Sequence, residues 1–336
     1  SVPCDMTLEQ GDAHEMRPLP PAWDTLWRVS PAATERAIRA SVAAHLFDPE
    51  AGGFDRHASR QPGCAFLEAG GILVAALAWL YAKTGDATLR EQARRIAAWS
   101  FRHREPATGL LENNPSPPAR WDKNVSTTEV GLWAGCLVQA AAWCEEPAWI
   151  EMADQALSAW LRAGFDEASQ RFHGCVRVAD GLPLTGPKTT PYMPGRWSDP
   201  WAPLFPSHDY PMQAAEACLR LHRITRKDIY RASARRWMAV LRQSLPARNG
   251  GGACAEHYGR AIHFLLGCAR ELNEADALPL ARSVACEAVT HLGTGGLFRG
   301  HPFENRCDAV DGVGILALAL LSLQTGTEPE TMGFIW

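Results

Sequence analysis

A repeated pattern of helix, tight turn, helix and short glycine-led return constrains the fold of this chain more than any other feature. Such patterns indicate one supersecondary unit that cannot bury its apolar face alone and is stacked against copies of itself. The sequence therefore predicts an all-α fold of helical hairpins, with short β-hairpins in the loops. The five returns are Ala51-Gly52-Gly53-Phe54, Thr108-Gly109-Leu110-Leu111, Arg171-Phe172-His173-Gly174, Gly250-Gly251-Gly252-Ala253 and Gly295-Gly296-Leu297-Phe298.

Two kinds of helix alternate along the chain. One kind is apolar nearly all round, which is typical of an inner helix buried on most sides. The other kind has a single apolar stripe among Arg, Glu and Gln, which is typical of an outer helix with one buried face. The predicted inner helices are residues 67–83, 127–143, 207–223, 257–272 and 308–323, and the predicted outer helices are 32–47, 87–103, 147–163, 227–244 and 277–292.

Alternation of inner and outer helices favours an (α/α) toroid or barrel. The first helix is outer and the last is inner, so the two can pair and close a ring of five to six hairpins, the sixth including Trp23–Val29. An open superhelical array is the alternative. It is disfavoured by irregular spacing and by the connection at residues 165–206, which is too long for a simple repeat. We expect one domain over residues 1–336, with 1–30 as an N-terminal extension.

Composition excludes several function classes. A net charge of -4 gives no bulk attraction to nucleic acid or to an anionic membrane. The sequence contains no P-loop, dinucleotide-binding glycine pattern, Gly-x-Ser-x-Gly or His-Glu-x-x-His. The ten cysteines show no metal-ligand spacing. We therefore expect no cofactor, no metal, no nucleic-acid partner and no membrane partner.

Polar and aromatic residues cluster just before or at the start of the last four predicted inner helices. In a toroid these helix N-termini share one end, where free amide groups and helix dipoles favour anions. Capping or loop packing is the alternative role at every single position. The candidate substrate-binding residues are Asn113, Asn114, Trp121, Lys123, Asn124, Arg196, Trp197, Glu256, Arg299 and His301.

The chain resembles the (α/α)-toroid carbohydrate-active enzymes, which include polysaccharide lyases, glycoside hydrolases and sugar epimerases. The resemblance lies in the helix alternation, in returns such as residues 48–54, and in the aromatic loops. It is most similar to the uronate-cleaving lyases through Ser207-His208-Asp209-Tyr210 and Glu256-His257-Tyr258-Gly259-Arg260. This resemblance implies an anionic polysaccharide or oligosaccharide as substrate.

Cleavage of a uronate by β-elimination requires neutralisation of the substrate carboxylate before a weakly acidic proton can be removed. Asn124, Arg260 and Arg299 are suitable donors. A base then removes the proton and an acid protonates the leaving oxygen.

The predicted base is His208 or His257, because a helix N-terminus disfavours the charged imidazolium. The predicted acid is Tyr258, with Tyr210 as its substitute. Together with Arg260, these residues form the expected catalytic set.

Other functions stay open. A glycoside hydrolase would use paired carboxylates, such as Glu256 with Asp209 or Asp311, and Glu129 and Asp308 are further candidates. A sugar epimerase, a glycan-binding toroid without catalysis and a helical scaffold are the remaining alternatives. Because the chain begins with Ser1 we expect a processed or trimmed form, and a polysaccharide substrate favours a secreted or periplasmic location.

Overall fold

The computed structural model describes Met16 and residues 21–58, 65–114, 123–187, 194–202, 211–245, 251–307 and 312–327. This part of the chain falls into two compact units. The first unit contains the described residues up to Ala163 together with Val176–Leu182. The second contains Gly164–Cys175 and the described residues from Pro183 onward.

Helices account for most of the described residues. The helices are α1 (Trp23–Val29), α2 (Pro31–His45), α3 (Leu67–Thr84), α4 (Ala87–Arg102), α5 (Thr127–Cys144), α6 (Pro147–Gly164), α7 (Met212–Thr225), α8 (Asp228–Ser244), α9 (Ala255–Glu271), α10 (Ala277–Leu292) and α11 (Val313–Thr325). The strands are β1 (Leu46–Asp48), β2 (Gly53–Phe54), β3 (Asn124–Ser126), β4 (Phe165–Asp166), β5 (Arg171–Phe172), β6 (Cys175–Arg177), β7 (Gly293–Thr294) and β8 (Leu297–Phe298).

Three of the five glycine-led returns form two-stranded antiparallel hairpins, namely β1–β2, β4–β5 and β7–β8. The return at residues 108–111 forms only a single bridge, between Arg104 and Leu111. The turn around Asp180 is also closed, because the backbone N–H of Arg177 donates to the carbonyl of Leu182 at 2.8 Å. These hairpins lead the chain from an outer helix to the next inner helix.

Local sequence signals set the helix ends in the first unit. Gly85, at φ 73°, ends α3 in the left-handed conformation, which costs glycine little. Asp86 then caps α4 by accepting a 3.0 Å hydrogen bond from the backbone N–H of Thr88. Pro147 is the first residue of α6, a position that needs no backbone donor.

Inner helices α3 and α5 form the core of the first unit. Gly71 allows their close contact, because a Cβ atom there would lie 2.7 Å from Cα of Trp133. By length and composition α3 could also cross a membrane, but 78% of it is buried inside the protein. Such burial is typical of the core helix of a folded domain.

Inner helices α7 and α9 form the core of the second unit. Every residue of α9 from Ala255 to Cys268 is buried. Helix α11 differs from its prediction, because its buried residues are only Leu316, Ala319 and Ser322. Within its unit it packs mainly on α9 through one face, so its apolar composition overstated its burial.

The predicted helix order is confirmed, and most ends agree within two residues. Two inner helices begin about five residues later than predicted, α7 at Met212 and α11 at Val313. Ser207 and Asp308, the first residues of these two predicted helices, lie outside the described residues. The expected pairing of the first and last helices stays a prediction.

Candidate active site

A buried polar cluster lies at the N-terminal ends of the two inner helices of the first unit. We call Arg56, Glu68, Asn113, Asn114 and Glu129 the Glu129 cluster. All five residues are at most 3% exposed. Glu68 is in the first turn of α3 and Glu129 in the first turn of α5, and these two helices pack on each other. The close packing of α3 and α5 therefore brings two carboxyl groups into one buried environment.

Glu129 is positioned by the start of its own helix. Its Oε2 accepts a 2.6 Å hydrogen bond from the backbone N–H of Ser126 and a further bond from the Ser126 hydroxyl. This arrangement is a capping box, in which the residue at the helix start and the third helical residue satisfy each other.

The protonation of Glu129 is shifted far from that of an ordinary carboxyl group. Burial and, to a lesser extent, the nearby charge of Glu68 together raise the pKa of Glu129 from 4.5 to about 8. Glu129 is therefore mostly protonated at neutral pH. Glu68 differs, because Nη1 of Arg56 lies 3.4 Å from its Oε1 and favours the charged carboxylate.

Asn113 and Asn114 cap the start of α3 from outside the helix. Oδ1 of Asn113 accepts from the backbone N–H of Leu67 at 3.1 Å, and Oδ1 of Asn114 accepts from that of Ala65 at 3.2 Å. Helix starts leave such N–H groups without an intrahelical partner. Both asparagines thus hold the turn that carries Glu68, and their predicted contact with substrate stays a prediction.

A second buried cluster lies between α7 and α9 in the second unit. We call Glu216, Glu256 and Arg260 the Arg260 cluster. Nε of Arg260 donates to Oε1 of Glu256 at 2.9 Å, and Nη1 lies 3.3 Å from Oε2 of Glu216. All three side chains are at most 6% exposed. Two carboxyl groups therefore already engage the guanidinium that was expected to neutralise a substrate uronate.

Glu216 is the second carboxyl group with a strongly shifted pKa. Burial raises its pKa to about 8, although the charges of Arg260 and Arg220 act in the opposite direction. Burial also holds the pKa of His263, deeper in α9, well below its ordinary value. In the Arg260 cluster, the guanidinium group of Arg260 thus contacts a largely protonated Glu216 and the carboxylate of Glu256. The imidazole of His263 nearby is neutral.

Tyr258 and His257 lie in the first two turns of α9, and both are buried. The hydroxyl group of Tyr258 donates to Oε1 of Glu287 on α10 at 2.7 Å and accepts from the backbone N–H of Ala253 at 3.1 Å. The inner helix therefore directs this hydroxyl towards an outer helix. The predicted roles of Tyr258 as acid and His257 as base stay predictions.

The other predicted residues of the first unit are dispersed around β3. Nζ of Lys123 pairs with Oε2 of Glu112 at 2.8 Å, and the lysine side chain is 43% exposed. Asn124 is buried at the start of β3.

In the second unit, Nη2 of Arg299 donates to the carbonyl of His291 at 2.7 Å. Nδ1 of His301 accepts from the backbone N–H of Phe303 at 3.2 Å. Arg196 lies beside Trp197, with its guanidinium carbon 4.9 Å from the indole centroid. The expectation that these groups line one opening stays a prediction.

Several predicted residues lie outside the described residues. Of the acids considered for the hydrolase alternative, the structure describes Glu129 and Glu256. Among the described residues, no group of three His, Cys, Asp or Glu side chains is placed to hold a metal ion. No disulfide joins any two of the eight cysteines that the structure describes. The predicted residues outside the description are Trp121, His208, Asp209, Tyr210, Asp308 and Asp311.

Sequence reasoning missed Glu68, Glu216 and Arg56 as members of buried clusters. A signal was available for Glu68, because it interrupts the apolar run from Leu67 to Leu80, and Glu216 lies within the small apolar segment 214–218. A carboxyl group on the buried face of a helix is rare unless it is paired or functional.

Comparison with known proteins supports the fold. No protein-family model matches the sequence, and no curated protein matches it. Among solved structures, a sugar epimerase from a ruminal bacterium aligns with TM-score 0.57 and 11% identity over 84% of this chain and 78% of that one. An unsaturated glucuronyl hydrolase specific for heparin aligns with TM-score 0.51 and 13% identity over 71% of this chain and 65% of that one.

A third structure is an inactive variant of the alpha-1,6-mannanase of Salegentibacter sp. HEL1_6, with two aspartates replaced by alanine, in complex with alpha-1,6-mannotetrose. It aligns with TM-score 0.52 and 13% identity over 80% of this chain and 77% of that one. These neighbours are (α/α)-toroid carbohydrate-active enzymes, both hydrolases and an epimerase. The chain therefore has the predicted all-α fold of the (α/α)-toroid type.

Proposed function

We propose that this protein is a glycan-cleaving enzyme that hydrolyses a glycosidic bond with the carboxyl pair Glu129 and Glu68. The observation that carries the proposal is the pKa of about 8 at Glu129 beside a second buried carboxyl group. Glycoside hydrolysis needs one carboxyl group that holds a proton at working pH and one that does not. The proposal places hydrolysis, the second expectation from the sequence, ahead of β-elimination.

Glu129 is the proposed general acid. Its capping box fixes Oε2 against Ser126, which leaves Oε1 as the oxygen that carries a proton to the glycosidic oxygen. Because the pKa of Glu129 lies near neutrality, the group is protonated before cleavage and can still release its proton.

Glu68 is the proposed base or nucleophile. Its ion pair with Arg56 favours the carboxylate, and Nη1 of Arg56 approaches Oε1. The guanidinium carbon of Arg56 also lies 4.6 Å from the ring centroid of Phe66, which orders the arginine. A charged carboxylate can activate water or attack the sugar directly, as the two hydrolytic routes require.

We further propose that the substrate is an anionic glycan met in a secreted or periplasmic setting. Among the predicted substrate-binding residues, the cations Lys123, Arg196 and Arg299 outnumber the one acid, Glu256, which supports an anionic substrate. The heparin specificity of one structural neighbour supports it as well. β-Elimination remains the alternative for a uronate substrate, and it would use His257 with Arg260. The sugar epimerase among the neighbours keeps isomerisation as a third candidate reaction.

Reaction in water enriched in oxygen-18 separates these reactions. The protein is incubated with alginate, heparin and α-mannan oligosaccharides, and the masses of the products are measured by mass spectrometry. Hydrolysis places the label in one product and releases a new reducing end. Elimination gives an unlabelled, unsaturated uronide that absorbs in the ultraviolet, and epimerisation leaves the chain length unchanged.

The same assay tests the carboxyl pair. Glu129→Gln keeps the acceptor of the capping box but cannot donate an acidic proton, so turnover should fall by roughly 10²–10⁴-fold. Glu91→Gln, an identical change at an exposed residue of α4, is the matched control and should leave turnover unchanged. A folded Glu129→Gln protein that turns over the active glycan at the wild-type rate would overturn the proposal.

A further inference from the structure

A cation–aromatic surface lies on the β4–β5 hairpin of the second unit. Residues 196–198 pair with the end of this hairpin through a single antiparallel bridge. The backbone N–H of Ser198 donates to the carbonyl of Phe172 at 2.9 Å, and that of Gly174 donates to the carbonyl of Arg196 at 3.1 Å. His173 and Trp197 are directly opposite each other in this pairing. The pairing places Arg171 diagonal to Trp197 on the same face.

The indole of Trp197 is the centre of this surface. The imidazole of His173 stacks on it with ring centroids 4.8 Å apart and planes at 14°. The guanidinium carbons of Arg171 and Arg196 lie 5.0 Å and 4.9 Å from the indole centroid. We call these four residues the Trp197 patch. Trp197 is half-buried, whereas Arg171 and Arg196 are exposed, so one ring orders two accessible guanidinium groups.

Neither guanidinium group of the patch forms an ion pair within the described residues, although Asp166 is opposite Arg171 in the β4–β5 pairing. The nearby acidic side chains have other partners. Asp166 accepts from Ser169 and from the backbone N–H of Ala168. Glu167 pairs with Arg236, and Asp199 accepts from the backbone N–H of Trp201 at 2.9 Å. Burial lowers the pKa of His173, so its imidazole is mostly neutral at pH 7 and adds little charge. The patch therefore carries two ordered positive charges.

We propose that the Trp197 patch binds the carboxylate or sulfate group of an acidic saccharide. A guanidinium group offers a planar pair of donors that matches such anions, and the indole reduces the ordering cost because it already holds both arginines. Each guanidinium carbon is about 5 Å from one ring centroid, so a single saccharide residue with its anionic group can reach both. The apolar edge of the indole suits the C–H groups of the sugar.

This inference relies on the proposed glycan substrate but not on the carboxyl pair of the Glu129 cluster. It assigns recognition of the anionic group to Arg171 and Arg196, of which Arg171 did not enter the predicted site. The patch would still bind acidic glycans if Glu129 and Glu68 were not the catalytic carboxyl groups. The two proposals can therefore fail separately.

Affinity electrophoresis of the folded protein in native gels tests the patch without turnover. The gels contain alginate as a uronate polymer, heparin as a sulfated polymer, α-mannan as a neutral polymer, or no polymer. The test variant is Arg171→Ala/Arg196→Ala. Its matched control is Arg235→Ala/Arg242→Ala, which removes the same charge from exposed ion pairs on α8.

We expect alginate or heparin to retard the wild-type protein and the control equally, and mannan to retard neither. Loss of both patch arginines should weaken binding about tenfold or more, since each guanidinium group supplies a charge-assisted contact to the anion. Trp197→Ala should weaken binding with both arginines still present. Comparison of the alginate and heparin gels distinguishes a carboxylate from a sulfate ligand.

Equal retardation of the two double variants would overturn the inference, as would the absence of retardation in both acidic gels. Retardation in mannan that survives loss of both arginines would assign the surface to neutral sugars and would also overturn it. Turnover of the Glu129→Gln protein is measured independently. Retained turnover with lost binding in the double variant would reject the carboxyl pair and leave the patch intact.

Discussion

The hydroxyl group of Tyr258 donates a 2.7 Å hydrogen bond to Oε1 of Glu287, and this bond joins inner helix α9 to outer helix α10. The hydroxyl oxygen of Tyr258 also accepts from the backbone N–H of Ala253, so the hydroxyl is satisfied as both donor and acceptor. Tyr258 is fully buried. This environment favours a structural role over proton transfer to a substrate.

Tyr258→Phe should therefore lower stability and spare turnover. The change leaves the Glu287 carboxyl group and the Ala253 N–H without this partner, at a cost of about 1–3 kcal/mol. Urea unfolding gives the stability, and the labelled-water assay gives the turnover. An acid role for Tyr258 would produce the opposite result, with stability kept and turnover lost.

The raised pKa of Glu129 predicts a pH dependence of stability. Because its pKa rises from 4.5 in the unfolded chain to about 8 in the fold, the folded state binds more protons across that interval. The stability that comes from protonated Glu129 is complete below about pH 4.5 and is lost as pH rises through about 8.

Unfolding by urea at several pH values between 4 and 9 checks this dependence. Glu129→Gln should flatten the decline, because glutamine does not titrate. Glu216 also has a raised pKa and contributes to the same decline, so the difference between wild type and variant is the relevant quantity. A profile identical to that of wild type would show that Glu129 titrates normally.

Within the Arg260 cluster, the two acids should respond differently to amide substitution. At pH 7 Glu216 is mostly protonated, so Glu216→Gln should cost less than about 1 kcal/mol. Glu256→Gln removes the carboxylate 2.9 Å from Nε of Arg260 and leaves a buried charge poorly compensated, at a cost of roughly 3 kcal/mol or more. Denaturant unfolding of both variants at pH 7 gives the comparison, and equal costs would contradict the assigned protonation.

Close contact of the inner helices of the first unit predicts a steric effect at Gly71. A Cβ atom there would lie 2.7 Å from Cα of Trp133, so Gly71→Ala should destabilise by about 1–3 kcal/mol. Gly314 in α11 is the matched control, because a Cβ atom there meets nothing within 4 Å. Gly314→Ala should be neutral or stabilising by up to about 1 kcal/mol, as expected for alanine in a helix. Thermal unfolding of the two variants distinguishes them.

The fold was predictable because its signals are local and repeated. Thr84-Gly85-Asp86 ends one helix and caps the next, and the apolar composition of α3 and α5 separates them from the striped outer helices. Apolar composition wrongly predicted that α11 is buried on most sides, because an apolar helix at the end of a repeat can pack through one face only. The start of α7 was predicted too early, at Ser207 and not at Met212, because serine is a residue type that often caps a helix start.

The candidate site was only partly predictable. Glu129 was recognised as a possible carboxylate, but its partner Glu68 is 61 positions away in the printed sequence and meets it only through the packing of α3 on α5. Arg260 was recognised as a donor, but its pairing with Glu216 of α7 is likewise a tertiary contact. The local sequence shows the residue type and its place at a helix start. The charged or polar group that contacts such a residue from another helix depends on the tertiary fold.

The capping box at Ser126 has a consequence for how the proposed acid would work. The hydrogen bond that starts α5 also sets the direction of the Glu129 carboxyl group, so forming the helix and aiming the acid are one event. A group held by an 18-residue buried helix does not have to be reoriented when a substrate arrives. The proton donor is thus oriented during folding and needs no reorganisation at the moment of reaction.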